Sequence, residues 1–382
     1  MTSITLALGT IMKVIKPLYG IPKAGNHWFK TYHLHHTNKL KMKPSTYDPC
    51  LLYTHEEGFG VVGLQTDDTL VLADLTFAAA EQAKLKEAGF LAKEREKLTI
   101  ATPIKFNGGQ IKLSNASTIE LTQERQYQNL TLISLKNIDI TSSRGDTRQA
   151  VTPKDQYITQ RARGAYIASV CQPEASFDLS FAAQVINPKE DDAKKLNKRL
   201  QWQIDNSSRG LRFVKLDKNS LKLVVFTDAS FANNADNTSQ ISFIITLADK
   251  NNNTNIIHWS SIKCKRVTRS VLASELYGIA HSFDHGAVIK ATIKNITRTS
   301  IPLILCTDSK SLYDCLVKLG TTQEKRLMVD LMCLRQSYER RIIAEIKWIN
   351  RTTNPADAIT KSKACQALRD FINTNKVNLN II

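Results

Sequence analysis

Read from the N-terminus, the apolar positions change period several times, and each change predicts an element. Residues 11–20 (IMKVIKPLYG) and 21–30 (IPKAGNHWFK) predict a loop and then a helix beginning near Ala24. Leu51–Tyr53, Val61–Leu64 and Thr69–Ala73 are short apolar runs. The last two flank Thr66-Asp67-Asp68, which predicts a β-hairpin with a polar tip. Phe77 to Phe90 has helical spacing and a stop at Gly89. Phe106-Asn107-Gly108-Gly109 carries a hairpin turn signal. Leu121–Glu124 predicts a strand running into a helix with Thr122 as its N-cap. Residues 137–158 are polar without a sustained period and predict a linker or long loop. Arg161–Cys171, Phe177–Val185 and Asp191–Ile204 predict three helices, closed by Ser207–Gly210.

From Leu221 the pattern becomes strand-rich. Leu221–Phe226, Ile241–Leu247 and Ile256–Ser260 predict three strands, the second and third separated by the polar turn Asp249–Thr254. A helix over Ser270–Phe283 follows, then strand Ile301–Cys306, helix Leu327–Tyr338, strand Ala344–Ile349 and a last helix beginning near Asp357. Three strands, helix, strand, helices, strand, helix is an α/β (α+β) order with a mixed five-stranded sheet and flanking helices.

Charge narrows the partner. The 382 residues carry a formal net charge of +17, a balance that favours a polyanion, nucleic acid before anionic membrane. The seven cysteines form no CxxC pair, which argues against a zinc-ribbon site and for a reducing compartment, cytoplasmic or nuclear. No run of about 18 apolar residues occurs, so no membrane span is expected.

Two of the predicted strands end in the same dipeptide, Thr227-Asp228 and Thr307-Asp308. In open α/β sheets ligands sit beyond strand ends, so two aspartates there can share a metal. Each also has a plainer reading, Asp228 as a turn residue and Asp308 as a helix cap. Glu275 lies beside Leu276, near the edge of its helix's apolar face, and either reaches inward or is solvated. Asp357 falls in Asn354-Pro355-Ala356-Asp357 at the expected start of the last helix, where the helix dipole favours it. Four clustered carboxylates repel unless cations lie among them. Two hard divalent ions would relieve that repulsion and suit phosphodiester hydrolysis.

FTDASFA, ASELYGIA, CTDSKSLYD and NPADAITK, in that order, resemble the ribonuclease H region of copia-type LTR retrotransposon polyproteins. Trp259–Lys265 and Glu324–Leu327, placed in the long helix, share the likeness. The resemblance implies catalytic and metal-binding roles for Asp228, Glu275, Asp308 and Asp357, with two Mg2+ (or Mn2+) as cofactors and an RNA–DNA hybrid as substrate. Asp228 would bridge both ions, Glu275 and Asp308 would hold the leaving-group ion, and Asp357 the nucleophile-side ion. Many such enzymes carry a mobile histidine before the last aspartate; none occurs here after His285. The basic residues Lys263, Lys265, Arg266, Arg269 and Arg335 are candidate phosphate contacts, or else a solvated basic face.

The likeness extends forward. Lys16–Ala24 with Trp28, then Asp48–Leu51, then Gln65-Thr66-Asp67-Asp68, resemble the palm of the same family's reverse transcriptase, and Gly164–Ile167 its thumb and connection region. Asp67 and Asp68 are the remnant of the polymerase site. The family's third carboxylate is not found in Thr2–Thr10, and Gln65-Thr66 replaces the usual aromatic–apolar pair, so unaided DNA synthesis is not expected. The expected organisation is a truncated palm over 1–136, a linker with thumb- or connection-like helices over 137–220, and a ribonuclease H-like domain over 221–375. A complete retroelement polymerase is a candidate partner. The alternative reading is a non-catalytic nucleic-acid-binding remnant of a decayed element.

Overall fold

The computed structural model describes residues 24–377 apart from 57, 67, 92, 142–147, 323, 363 and 364, and for 138–141 and 148–150 the backbone alone. The palm-like segment Lys16–Lys23 and Asp67 therefore lie outside the described residues. The chain forms two compact units, Met1–Glu94 and Arg95–Ile382.

In the first unit, α1 (Ala24–Lys39) precedes an antiparallel sheet of β1 (Lys43–Pro44), β2 (Leu51–Thr54), β3 (Gly60–Gln65) and β4 (Asp68–Ala73), paired in that order, and α2 (Leu75–Glu87) closes it. The expected hairpin is present, with Gln65 opposite Asp68. Asp74 caps α2 by accepting from the Phe77 amide at 2.8 Å. Leu40, Leu52, Val62 and Phe77 are fully enclosed, and His36 Nε2 lies 2.9 Å from the buried Glu81 carboxylate.

The second unit begins with β5 (Ile104–Phe106), β6 (Gly109–Asn115), β7 (Thr118–Thr122) and the short α3 (Glu124–Tyr127). Asn107 and Gly108 link β5 to β6 with φ of 50° and 71°, the left-handed pair that a two-residue hairpin turn requires. Thr122 ends β7, and the residue before α3 is Gln123, which makes no side-chain cap. Where a loop was expected over 137–158, the described residues hold regular structure. They contain a hairpin of β8 (Ile138–Thr141) and β9 (Arg148–Val151) and then the first turns of α4 (Pro153–Val170). The helix start is locally encoded: Thr152 and Asp155 form a reciprocal capping box and Pro153 occupies the first turn. Next come α5 (Ser176–Ala182), α6 (Glu190–Asp205) and β10 (Leu211–Val214), a strand absent from the apolar pattern that pairs with β7. Helices α4 to α6 enclose Ile167, Leu179, Leu196 and Leu200.

The C-terminal part is built on a mixed sheet. Its strands are β11 (Lys222–Ser230), β12 (Gln240–Ala248), β13 (Thr254–Lys263), β14 (Leu303–Thr307) and β15 (Glu345–Trp348), in spatial order β13-β12-β11-β14-β15. The first three form an antiparallel meander, and β11, β14 and β15 run parallel. One face is covered by α7 (Val271–Thr297), α8 (Lys310–Val317) and α9 (Met328–Glu339) over Val225, Phe243, Leu276, Leu305 and Leu331. On the other face, Phe226, Ile244 and Cys306 pack with a 3-10 turn at Pro355–Ile359 and with α10 (Gln366–Thr374). Three expectations are corrected here. Asp228 lies inside β11 rather than beyond it, because β12 continues the pairing to Ser230–Gln240. Asp357 sits in the 3-10 turn, nine residues ahead of the last helix. Lys325–Leu327 is likewise a 3-10 turn before α9. The C-terminal sheet is tied to α4 by Trp259 Nε1, which donates to the Ala168 carbonyl at 3.1 Å, and to β10 by Asn255, which bonds both backbone groups of Val214.

Candidate metal centre

The site follows from strand register. β11 and β14 are parallel neighbours with Phe226 opposite Cys306, and two residues further each chain presents an aspartate, Asp228 and Asp308. Phe226 and Cys306 are fully buried, so the hydrophobic runs fix the register and the register fixes the acids. The turn at Pro355–Ile359 brings in Asp357. One carboxylate oxygen from each of Asp228, Asp308 and Asp357 lies within 4.8 Å of the others, close enough to hold a cation, and among the described residues this is the group of metal-binding side chains that so converges.

Glu275 approaches from α7 on the other face of the sheet. It is 5% exposed, and its Oε2 is buried with no hydrogen-bond partner. Its helix starts where Ser270 accepts from the Ala273 amide at 3.1 Å. Gly278, one turn further, faces Thr227 and Ala229, so α7 lies close against β11.

The electrostatics are those of acids packed against one another. Burial, reinforced by Asp228 and Asp308, holds the Glu275 carboxyl well above the usual carboxylate range. Burial first and then the Asp228 charge push Asp308 up to about 6. Asp228 is also raised, chiefly by burial, although the Thr360 hydroxyl bonds its Oδ2 and Lys361 opposes the shift. Cations reach Asp357 from two sides: Lys361 Nζ is 2.6 Å and Arg351 Nε 3.4 Å from Oδ1.

Several residues have positioning roles that the linear pattern did not assign. Asn354 is fully buried. Its Nδ2 donates to the Thr227 carbonyl at 3.0 Å and its Oδ1 accepts from the Ala356 amide at 3.1 Å, which fastens the Asp357 turn to β11. Ser242 donates to the Ala356 carbonyl at 3.0 Å, and Trp348 Nε1 to the Asp308 carbonyl at 3.2 Å. Asn-Pro marks a turn in sequence; which strand it would bind is a tertiary matter.

The basic candidates separate into two kinds. Lys265, Arg266 and Arg269 are exposed, Arg266 pairing with Asp330 at 2.7 Å and lying over the Tyr277 ring, while Lys263 bonds Asp236. Arg335 turns inward and donates to the carbonyls of Cys315 and Gly320 at the end of α8. Asp68 is exposed at the start of β4. No helix among the described residues is long and apolar enough to cross a membrane.

No protein-family model matches the chain, and no curated protein does. Solved structures do. The chain is similar to RNase H1 from the halophilic archaeon Halobacterium salinarum at 16% identity, over 39% of this chain and 98% of that one, with a TM-score of 0.28. An RNase H1 isolated from compost aligns at 15% identity over 38% of this chain and 98% of its own, TM-score 0.30. The protease–reverse transcriptase of prototype foamy virus aligns at 13% identity, over 40% of this chain and 22% of the viral one, TM-score 0.23.

Proposed function

We propose that this chain is a ribonuclease of the H type, derived from a retroelement polyprotein of the copia class, which cuts the RNA strand of an RNA–DNA hybrid. The observation that carries the reading is the convergence of Asp228, Asp308 and Asp357 within common cation reach, beside a buried Glu275 whose Oε2 has no hydrogen-bond partner. The donor set is all carboxylate oxygen, the chemistry of Mg2+ or Mn2+ rather than of zinc or copper, so the residues fit the ions the resemblance implies. When bound, such ions supply a hydroxide nucleophile at neutral pH and stabilise the leaving 3′ oxygen.

The chain's own groups divide the remaining work. Asp228, on the central strand, would be the ligand common to both ions. Asp308 and Glu275 would hold the leaving-group side, and Asp357 the nucleophile side. Thr360 orients Asp228, and Asn354 orients the Asp357 turn. Lys361 and Arg351 neutralise part of the cluster's charge at Asp357. Exposed Lys265, Arg266 and Arg269 meet backbone phosphates, so recognition follows helix shape and the 2′-hydroxyl rather than base sequence.

The front unit is read as derived from a reverse-transcriptase palm, on the sequence resemblance around Asp48–Leu51 and Gln65–Asp68. The test is cleavage of a labelled RNA–DNA hybrid with Mg2+, alongside Asp228→Asn, with double-stranded DNA and RNA as controls. RNA-strand cutting by the parent and a loss of at least a hundredfold in the variant are expected. Hybrid binding without cleavage by either protein would replace this reading with that of a non-catalytic remnant.

A further inference from the structure

A second cluster of metal-ligating side chains lies on the α7 face of the sheet, apart from the carboxylates. His281 and His285 are one turn apart on α7, with ring centroids at 4.7 Å, and His258 on β13 lies 5.6 Å from His285. All three pack around the Phe243 ring at 5.0 to 5.7 Å and are half-buried. The backbone is specially shaped to bring them together. The β12–β13 register shifts between Ile245 and Thr246, so that Ile245 faces His258 while Thr246 faces Ile256. This bulge places Ile257 and His258, consecutive residues, on the same face. Ile256 and Trp259 pack on the opposite side of the sheet and Ile257 packs with the α7 core. Without the extra residue, alternation would put His258 on the Ile256 side, away from α7.

We propose that His258, His281 and His285 form a binding site for a late first-row divalent cation, Zn2+ above all, which braces α7 against β13. Three imidazoles, two of them at i and i+4 on a helix, are a donor set that selects such ions over Mg2+. Nitrogen ligands around a tetrahedral zinc sit roughly 3.3 Å apart. Among the described residues the aspartates are the group whose donor atoms lie within 4.8 Å of one another, and a shared ion requires the imidazoles to turn toward it about their soft terminal torsions. Protonation does not stand in the way. Burial, with the neighbouring histidines adding to it, pushes His258 down to about 4, and burial lowers His281 and His285 too. Asp284 adds negative charge beside His281 and His285, against Lys265 near His281. The fourth position is left to water.

This site is independent of any nuclease activity. Its test uses the full chain, stripped of transition metals and held in excess Mg2+ so that the carboxylates are satisfied. Zn2+ is titrated by equilibrium dialysis, with Co2+ as a visible-absorption probe of geometry, and thermal unfolding is followed with and without Zn2+. The expected result is one Zn2+ per chain, a tetrahedral Co2+ spectrum, and a melting temperature raised by zinc. His281→Gln and His285→Gln, on a half-exposed helix face and checked for native circular dichroism, should each weaken binding at least tenfold and remove the zinc-dependent shift. His258→Gln should do the same from the other element. Zinc uptake unchanged in His281→Gln and His285→Gln, or no uptake by the parent at micromolar zinc, would overturn the proposal.

Discussion

At the scale of single residues, the carboxylate cluster is an arrangement that costs stability until cations arrive. A solvated aspartate titrates near 3.8, whereas Asp308 is pushed to about 6 by burial and by Asp228. Between those values the folded chain holds a proton that the unfolded chain has released. Its stabilising effect is therefore complete below about pH 4 and is lost as pH rises through 6, with the raised Asp228 and Glu275 acting in the same direction. In chelator, urea denaturation should show falling stability from pH 4 to pH 7, and Mg2+ should restore it at pH 7. Asp308→Asn, which cannot ionise, should stabilise the metal-free protein at pH 7 by on the order of 1–3 kcal/mol while removing cleavage. A destabilised metal-free Asp308→Asn would contradict the electrostatics described here. The three converging aspartates, Asp228, Asp308 and Asp357, stood out in sequence because their neighbours, Thr-Asp twice and Asn-Pro-Ala-Asp, are distinctive. The roles of Thr360, Lys361 and Arg351 were not legible, since each depends on a carboxylate brought near by folding.

At the scale of elements, hydrophobic register does the positioning. Buried Phe226 and Cys306 set β11 against β14, and the acids two residues on follow. The turn carrying Asp357 packs Ala356 and Ile359 into the same core and is fastened to β11 by Asn354. Asn354→Ala leaves the Thr227 carbonyl and the Ala356 amide without their partner and should cost about 2–3 kcal/mol. Cleavage should fall more steeply than folding can explain, and raising Mg2+ should recover part of it, because the Asp357 ligand is displaced rather than removed. A variant with parental Mg2+ dependence would show that the turn holds itself. The β10 strand that the apolar pattern missed is short and is specified by β7, its Leu211 pairing with Leu121 and its Val214 with Thr118. The β8–β9 hairpin is rich in polar residues, and polar strands carry little period-2 signal. In contrast, the start of α4 was written locally in Thr152-Pro153-Lys154-Asp155, a capping signal set inside a segment whose composition suggested a loop.

For the whole molecule, the net charge of +17 acts as a long-range field, with Lys265, Arg266 and Arg269 near the start of α7 as its local expression. Hybrid affinity should fall steeply with salt, and Lys265→Ala with Arg269→Ala should make the log–log salt slope shallower by about two. A slope unchanged by both substitutions would place the phosphate contacts elsewhere. The central claim is that four carboxylates from four separate elements gather two divalent ions. Crystals grown with an RNA–DNA hybrid and Mn2+ test it most directly through anomalous scattering. The account predicts two manganese peaks about 4 Å apart, one contacting Asp357, the other Glu275 and Asp308, and both contacting Asp228. A single peak, or none within ligand distance of Asp228, would contradict it.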